Sequence, residues 1–443
     1  MVLEAAGSDE AASGKPTTGK AGHYLWSQLK RVNIEREGWR IHNVLSCQPG
    51  PKNLLAKMPY EHSVISSCAP LLDATIADMR ERCKQNSKTF VILALGKIAF
   101  KRILGISEGS PILKVDTYCY PIWSEQYGAW VLVAPHPSFL MRGNNHLVGI
   151  LQFAAQRALE IASNGYKHDE PTLICDPEPV HFQQWVHDYE HYLAAHPDTV
   201  LAFDIETPYK QGIDEAEVAR EEDEDYTILR CSFAYRPNEA VSVPWRAEYK
   251  PLLEEIFSSH GPKVGHNSDA YDLPRIQLQM PIHGDHHDTM LMWHVLNSAM
   301  PKGLGFITPY YWQNTPPWKH TVDNEPARYN AIDSLATLKC FYGIQKDLKE
   351  NNLARVYDRH VVQLNRVLSY MSEQGVLRDN KLRDELEIKL TDKLEAVKGK
   401  MEAVVPIAAR RLKIYKKAPK DTKGMLQVEQ EMPVKRCSIC GIA

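Results

Sequence analysis

Between residues 1 and 165 short apolar runs alternate with stretches of helical spacing. TFVILALG leads into KIAFKRILG, and WVLVAPHP leads into SFLMRG. A short apolar run bounded by Gly or Pro reads as a buried strand, and the alternation predicts an α/β layer. The segment SNGYKHDEP, around residues 165–172, is polar and turn-rich and reads as a link to the next layer.

A second alternation begins at TLICDPEP and runs to about Asn352. The helix VHFQQWVHDYEHYLAA leads into the apolar strand Val200-Leu201-Ala202-Phe203, and ILRCSFAY and AVSVPW read as two further strands. KVGHN, a helix, HHDTMLMWHVL and a helix around Tyr329 follow, an order that predicts a mixed sheet with flanking helices. From Asn352 onward the pattern is helical. Leu382, Leu386, Leu390 and Leu394 recur at four-residue steps and predict a stripe packed into a core. The expected parts are residues 1–165, 171–351 and 352–443.

At 443 residues the chain is long enough for two or three domains, each with its own core. Its composition, 44% hydrophobic and 24% charged, is that of an ordinary globular protein. The net charge of −3 conceals local asymmetry. Residues 214–225 (DEAEVAREEDED) form an acidic run expected in a solvated loop, and residues 410–423 (RRLKIYKKAPKDTK) form a basic run, interleaved with Tyr415, that can track phosphates. No apolar run approaches the roughly 20 residues that span a bilayer. Glu4, Asp9 and Glu10 exclude a secretory signal, so no membrane partner is expected. Nine scattered cysteines predict a reducing cytoplasm rather than a disulfide framework. Cys437 and Cys440 have metal-ligand spacing but supply half of a structural zinc shell, so zinc is expected there only if a partner completes the site.

The chemistry-bearing positions are acidic. Strand residues two apart share a face, so Asp204 and Glu206 in VLAFDIET point the same way. Two like charges in a dry sheet call for a cation between them, and an all-oxygen ligand set suits Mg²⁺ or Mn²⁺ rather than zinc. Tyr329 and Asp333 in ARYNAIDSLAT are four apart on a helix, hence on one face. Asp272 in VGHNSDAYDLPRI supplies a further carboxylate. Such a constellation fits phosphodiester hydrolysis by two ions about 3.5–4 Å apart.

In order, spacing and flanking apolar runs, these motifs resemble the DEDD superfamily of 3′–5′ exonucleases over about residues 171–350. The resemblance is to its tyrosine-bearing branch, as in the proofreading domain of family A DNA polymerases. It implies a ribonuclease-H-like mixed-sheet domain in which Asp204, Glu206, Asp272 and Asp333 hold two ions and Tyr329 orients the attacking water. The family places its second-motif Asp four residues after an Asn, whereas Asn267 and Asp272 are five apart, which makes Asp269 a rival. Tyr271 and Leu273-Pro274-Arg275-Ile276 match the family around Asp272. Asp269 reads as a first-turn helix residue favoured by the helix dipole.

Five strings in the first part resemble, in order, family 4 and related uracil-DNA glycosylases. They are VLEAAGSDE (2–10), GKPTTGKAG (14–22), HNVLSCQP (42–49), LALGKIAFKRILG (93–105) and PHPSFLMRG (135–143). The resemblance implies an α/β domain that receives a flipped base. It places Asn43 on the uracil edge, His136 where charge develops on the departing base, and Glu4 near the water-handling loop. Thr17 stands where the family has a Phe that stacks on the base, so excision of uracil is not expected. Cys47 and Cys68 match two of the four cysteines that ligate the family's iron–sulfur cluster. Nothing in this chain matches the first pair, and no cluster is expected.

MSEQGVLRD resembles the entry to a family A polymerase thumb, so residues 352–443 are expected to be an incomplete helical thumb start. The whole then resembles the N-terminal part of a phage-type family A DNA polymerase. Both ends read as incomplete, implying a gene fragment or one piece of a split polymerase whose remainder is a separate chain in the bacterial host cytoplasm. The expected activity is proofreading of single-stranded 3′ DNA ends in replication or repair, without polymerisation by this chain alone. Two alternatives stay open: a stand-alone RNase D-like exonuclease that trims RNA, and a non-catalytic DNA-tethering accessory piece.

Overall fold

A computed structural model of the protein describes residues 1–50, 61–106, 117–208 and 227–404. The acidic run 214–225, the basic run 410–423, Cys437 and Cys440 lie outside the described residues. The chain forms two compact units, Met1–Ser372 and Glu373–Ala443.

The first sheet has the order β2-β1-β3-β5-β4. Its strands are β1 (Val2–Ala5), β2 (His42–Leu45), β3 (Val91–Leu95), β4 (Ile122–Ser124) and β5 (Ala129–Ala134). All pair in parallel except β4, which lies antiparallel at the edge. The near-continuous apolar runs of β3 and β5 match parallel strands covered on both faces. Helices α1 (Ser8–Ser13), α2 (Lys20–Lys30), α3 (Glu61–Gln85), α4 (Lys97–Leu104), α5 (Pro137–Met141) and α6 (Val148–Asn164) complete this layer.

The second sheet runs β11-β10-β7-β8-β9-β6. Its strands are β6 (Thr172–Cys175), β7 (Leu201–Glu206), β8 (Arg230–Arg236), β9 (Glu239–Pro244), β10 (Lys263–Gly265) and β11 (His286–Asp288). β8 is antiparallel to β7 and β9, and β10 and β11 run parallel to β7. Counted from β7 the order is third-second-first-fourth-fifth with the second reversed, the ribonuclease-H-like arrangement, and β6 is an added edge. On one face α7 (Pro179–Ala195) and α8 (Lys250–Ser258) bury Phe182, Trp185 and Phe257 against Phe203 and Phe233. Next come α9 (Asp272–Gln277), α10 (Thr289–Leu296) and α11 (Leu304–Tyr311). The long helix α12 (Pro326–Glu350) packs against β7, β8 and β9.

The strand period decides what α12 meets. Leu201, Phe203 and Ile205 belong to the aromatic core, whereas Ala202 belongs to the cluster containing Leu335 and Ala336 of α12. Asp204 and Glu206 therefore share the α12 face with small alanines. That same cluster holds Leu93 and Leu132 of the first sheet with Phe306 and Trp318 of the second layer, so the two layers share a core. The 165–172 link is tied to the second layer. Asp169 N donates to Asn314 O at 2.9 Å, and Trp312 Nε1 donates to Asp169 Oδ2 at 2.7 Å.

After α12 come α13 (Ala354–Val356), a π turn (Tyr357–Val361) and α14 (Val362–Gln374). The second unit contributes α15 (Asn380–Val404). The leucine stripe does not pack as expected, because Leu382, Leu386, Leu390 and Leu394 are 52%, 44%, 61% and 54% exposed. Helical spacing yields a stripe, but no second apolar surface of this unit covers it among the described residues. Among the described residues no helix is long and apolar enough to cross a membrane.

Candidate active site

Carboxylates converge where β7 meets α12. Asp204, Glu206 and Asp333 each present an oxygen, and these all lie within 4.8 Å of one another. Asp272 stands outside that set but is tied to the same strand, its Oδ1 accepting from Ile205 N at 3.1 Å. Asp333 is clamped on both oxygens: Trp318 Nε1 donates to Oδ1 at 2.6 Å and Lys319 Nζ to Oδ2 at 2.8 Å. The same ammonium donates to the Tyr329 hydroxyl at 3.0 Å. Asn330, fully buried beside Tyr329, donates to Asp204 Oδ2 at 2.8 Å and accepts from Ser242 Oγ at 2.8 Å.

This concentration of negative charge is visible in the proton affinities. Burial, with Asp333, Glu206 and Asp272 nearby, holds Asp204 well above the usual carboxylate range. Burial and the Asp333 charge push Glu206 up to about 8. Asp272 rises to about 7 through burial, against the opposing bond from Ile205 N. For Lys319, burial favours the neutral amine but is overcome by Asp333, Tyr329 and Asp204, so it stays an ammonium. Lys319 opposes the negative charge on Asp204 and Glu206, and Arg230 and Arg275 oppose it on Glu206 and Asp272. An all-oxygen donor set with excess negative charge fits Mg²⁺ or Mn²⁺.

Asp269 is elsewhere. Helix α9 begins at Asp272, and Asn267, with φ 59°, leads into a turn over Ser268–Tyr271, so Asp269 is not the first-turn residue its spacing suggested. Its Oδ1 pairs with His286 Nε2 at 3.0 Å, and Oδ2 accepts from Asn365. Reading the sequence alone missed Lys319, Trp318 and Asn330. Asn330 carried a weak signal as the polar neighbour of Tyr329 on a helix that had to cross a sheet. Trp318 and Lys319 sit in a segment without regular periodicity.

The glycosylase-like positions gather along the first sheet. Leu3 pairs with Asn43 and Leu95 with Ala134, so Glu4, the Gly96 turn and His136 lie toward the carboxyl ends of parallel strands, the edge where open α/β sheets bind ligands. Glu4 is within β1 rather than in a loop, and Asn43 is buried. His136 caps α5, Nδ1 accepting from Ser138 N at 3.2 Å, and burial with Arg142 nearby pushes its pKa down to about 4. Nδ1 as acceptor leaves the proton on Nε2 of a neutral ring. Gly96 has φ 91°, and a Cβ there would come 2.9 Å from the His136 Cβ, so the turn requires glycine.

Thr17 offers no ring to a base. It is 2% exposed with φ 58°, and its hydroxyl accepts from Arg36 Nη1 at 2.8 Å and Trp26 Nε1 at 3.0 Å. Cys47 is exposed and Cys68 half-buried.

The fold and the site define a two-sheet α/β protein with an acidic cluster suited to a divalent ion. Residues 2–157 match the model of the uracil DNA glycosylase superfamily. The type-4 uracil-DNA glycosylase of Sulfurisphaera tokodaii is 31% identical over 176 residues, 38% of this chain and 73% of that protein. The chain belongs to the uracil-DNA glycosylase superfamily. Among solved structures, the POL domain of Mycobacterium smegmatis Pol1 with DNA primer-template and dNTP matches 51% of this chain at 12% identity and TM-score 0.37. This chain spans 36% of that polymerase domain. Escherichia coli RNase D matches 47% of this chain and 52% of its own at 12% identity and TM-score 0.34. Brucella melitensis NrnC with bound Mg²⁺ matches 41% of this chain and 89% of its own at 14% identity and TM-score 0.32. Similarities of this size carry no functional weight, which rests on the carboxylates.

Proposed function

We propose that the protein is a divalent-metal-dependent 3′–5′ exonuclease acting on single-stranded 3′ ends of DNA, the proofreading part of a family A polymerase. In this reading residues 1–165 are a glycosylase-like domain, 171–351 the exonuclease and 352–443 the start of a thumb. The observation that carries it is the gathering of Asp204, Glu206 and Asp333 within 4.8 Å on a ribonuclease-H-like sheet, with Tyr329 one helical turn before Asp333. Membership of a DNA glycosylase superfamily supports DNA over RNA as the polymer.

Asp204, Glu206, Asp272 and Asp333 would hold Mg²⁺ or Mn²⁺, which supplies charge neutralisation and an activated water when bound. The rest belongs to the chain. Burial and the Asp333 charge keep the Tyr329 phenol protonated, and the bond from Lys319 to its oxygen aims the O–H. That hydroxyl orients the water whose oxygen bonds to phosphorus as the P–O3′ bond breaks. Asn330 and Trp318 hold Asp204 and Asp333 in place.

Purified protein is given Mn²⁺ or Mg²⁺ and 5′-labelled single-stranded DNA or RNA of one sequence. A ladder receding from the 3′ end of DNA, abolished by EDTA and by Asp204→Ala, is expected. Tyr329→Phe should keep the ions and lose about 100-fold or more in rate, the size of one positioned proton-handling group. Preference for RNA would favour the RNA-trimming reading. No digestion by wild type, or full activity in Asp204→Ala, overturns the proposal.

A further inference from the structure

The glycosylase-like layer reaches toward the carboxylate site through an aromatic contact. Tyr120, just before β4 and 1% exposed, meets Trp318 edge-on, with ring centroids 6.3 Å apart and planes at 76°. Its hydroxyl donates to Gly305 O of α11 at 2.6 Å. Trp318 is the residue that donates Nε1 to Asp333 at 2.6 Å, and its neighbour Lys319 serves both Asp333 and Tyr329. A second clamp holds the start of the same segment. Arg157 of α6, 5% exposed, donates to Asn314 Oδ1 at 2.8 Å and Gln313 O at 3.3 Å. Asp169 of the link accepts from Trp312 Nε1 at 2.7 Å.

Residues 312–319 thus carry two donors to a candidate metal-binding carboxylate, yet hold no helix or strand between the end of α11 and the start of α12. Such a segment keeps its geometry only if something fixes it, and displacement of about 1 Å at a reacting centre costs on the order of a hundredfold in rate. Here the fixing groups include Tyr120 and Arg157 of the other sheet's layer, beside Lys339 of α12, which lies over the Trp312 ring.

We propose that Tyr120 and Arg157 are positioning residues for the carboxylate site, so that the glycosylase-superfamily part of the chain is a structural component of the second layer's active centre. The catalytic half of this inference rests on the exonuclease reading; the mechanical half does not. Ordinary packing between layers is the competing explanation, and Phe153 provides the control. It stacks on Tyr310 at 4.4 Å in the same shared core but makes no bond to the 312–319 segment.

The full chain, labelled with 5-fluorotryptophan, gives a fluorine resonance for Trp318 that Trp318→Phe assigns. Tyr120→Leu and Arg157→Met should shift and broaden it. They should weaken Mn²⁺ binding by calorimetry about tenfold, the lower end of what a hydrogen bond to a charged group is worth, and lower kcat about tenfold with KM for the strand unchanged. Tyr120→Phe retains the ring edge and should restore most of each effect. Phe153→Leu should lower Tm yet leave all three readouts alone. An unmoved resonance in Tyr120→Leu overturns the proposal, as does a moved resonance with unchanged Mn²⁺ affinity, or equal effects from Phe153→Leu. If wild type neither takes up Mn²⁺ nor digests DNA, the exonuclease reading falls. The fluorine signal alone then decides whether Tyr120 and Arg157 hold Trp318.

Discussion

Replacing Glu206 by Gln should stabilise the protein in EDTA while removing its response to metal. Burial and the neighbouring Asp333 raise the folded-state pKa of Glu206 from 4.5 to about 8. A raised carboxyl pKa means the folded state binds the proton more tightly than the unfolded chain. The associated stability is fully present below pH 4.5 and is lost as pH rises through about 8. At 1.36 kcal/mol per pH unit, the loss accumulated between pH 4.5 and 7 is about 3 kcal/mol. Gln cannot ionise, so the variant's advantage over wild type in EDTA should grow by about that much over this interval. His266 and His136, pushed down by burial to about 3 and about 4, act in the opposite sense. Their stability is present above pH 6.5 and lost as pH falls, and it cancels in the wild type–variant difference. Thermal melts from pH 5 to 8.5 measure that difference. With Mn²⁺ at a hundred times Kd, wild type should gain about 2.7 kcal/mol, most visibly above pH 7, and the variant far less. A difference that stays flat with pH, or a wild type more stable than the variant at pH 8 in EDTA, would refute the electrostatic account of the site.

Three further outcomes are expected. Lys319→Met should cut the exonuclease rate about 100–1000-fold, as loss of a preorganised donor does; digestion at the wild-type rate would contradict the assigned role. Asp272→Asn should abolish digestion and weaken Mn²⁺ binding, whereas Asp269→Asn, which touches His286 and Asn365 instead, should leave the digestion rate and Mn²⁺ affinity close to those of wild type. Uracil-bearing DNA should show no alkali-labile sites after incubation, since Thr17 is turned into Arg36 and Trp26 and base–aromatic stacking worth about 1–3 kcal/mol is absent; cleavage by wild type that disappears in His136→Ala would show that another group grips the base.

What the sequence disclosed and what it concealed divide along one physical line. Alternation within β7 placed Asp204 and Glu206 on one face, and the four-residue step placed Tyr329 with Asp333, because strand and helix periods are local geometry. The residues that complete the centre arrive through tertiary structure. Trp318 and Lys319 come from an irregular segment, and Asn330 gains its role only because Ser232 and Ser242 of two other strands receive it, through its carbonyl and its side chain. The same boundary explains the features that the sequence misread or left open. Leucines at helical spacing predict a stripe but cannot say whether a partner covers it. A polar link predicts a turn but not that Asp169 will be held by Trp312 and Asn314. Asp269 and Asp272 differ in sequence by three positions, yet a single left-handed residue, Asn267, sends one carboxylate to His286 and the other to Ile205 N. The periodicities that bring the carboxylates together and the donors that hold them thus have different origins, and on the positioning proposal substitutions in the glycosylase-superfamily layer alter the second group while leaving the first intact.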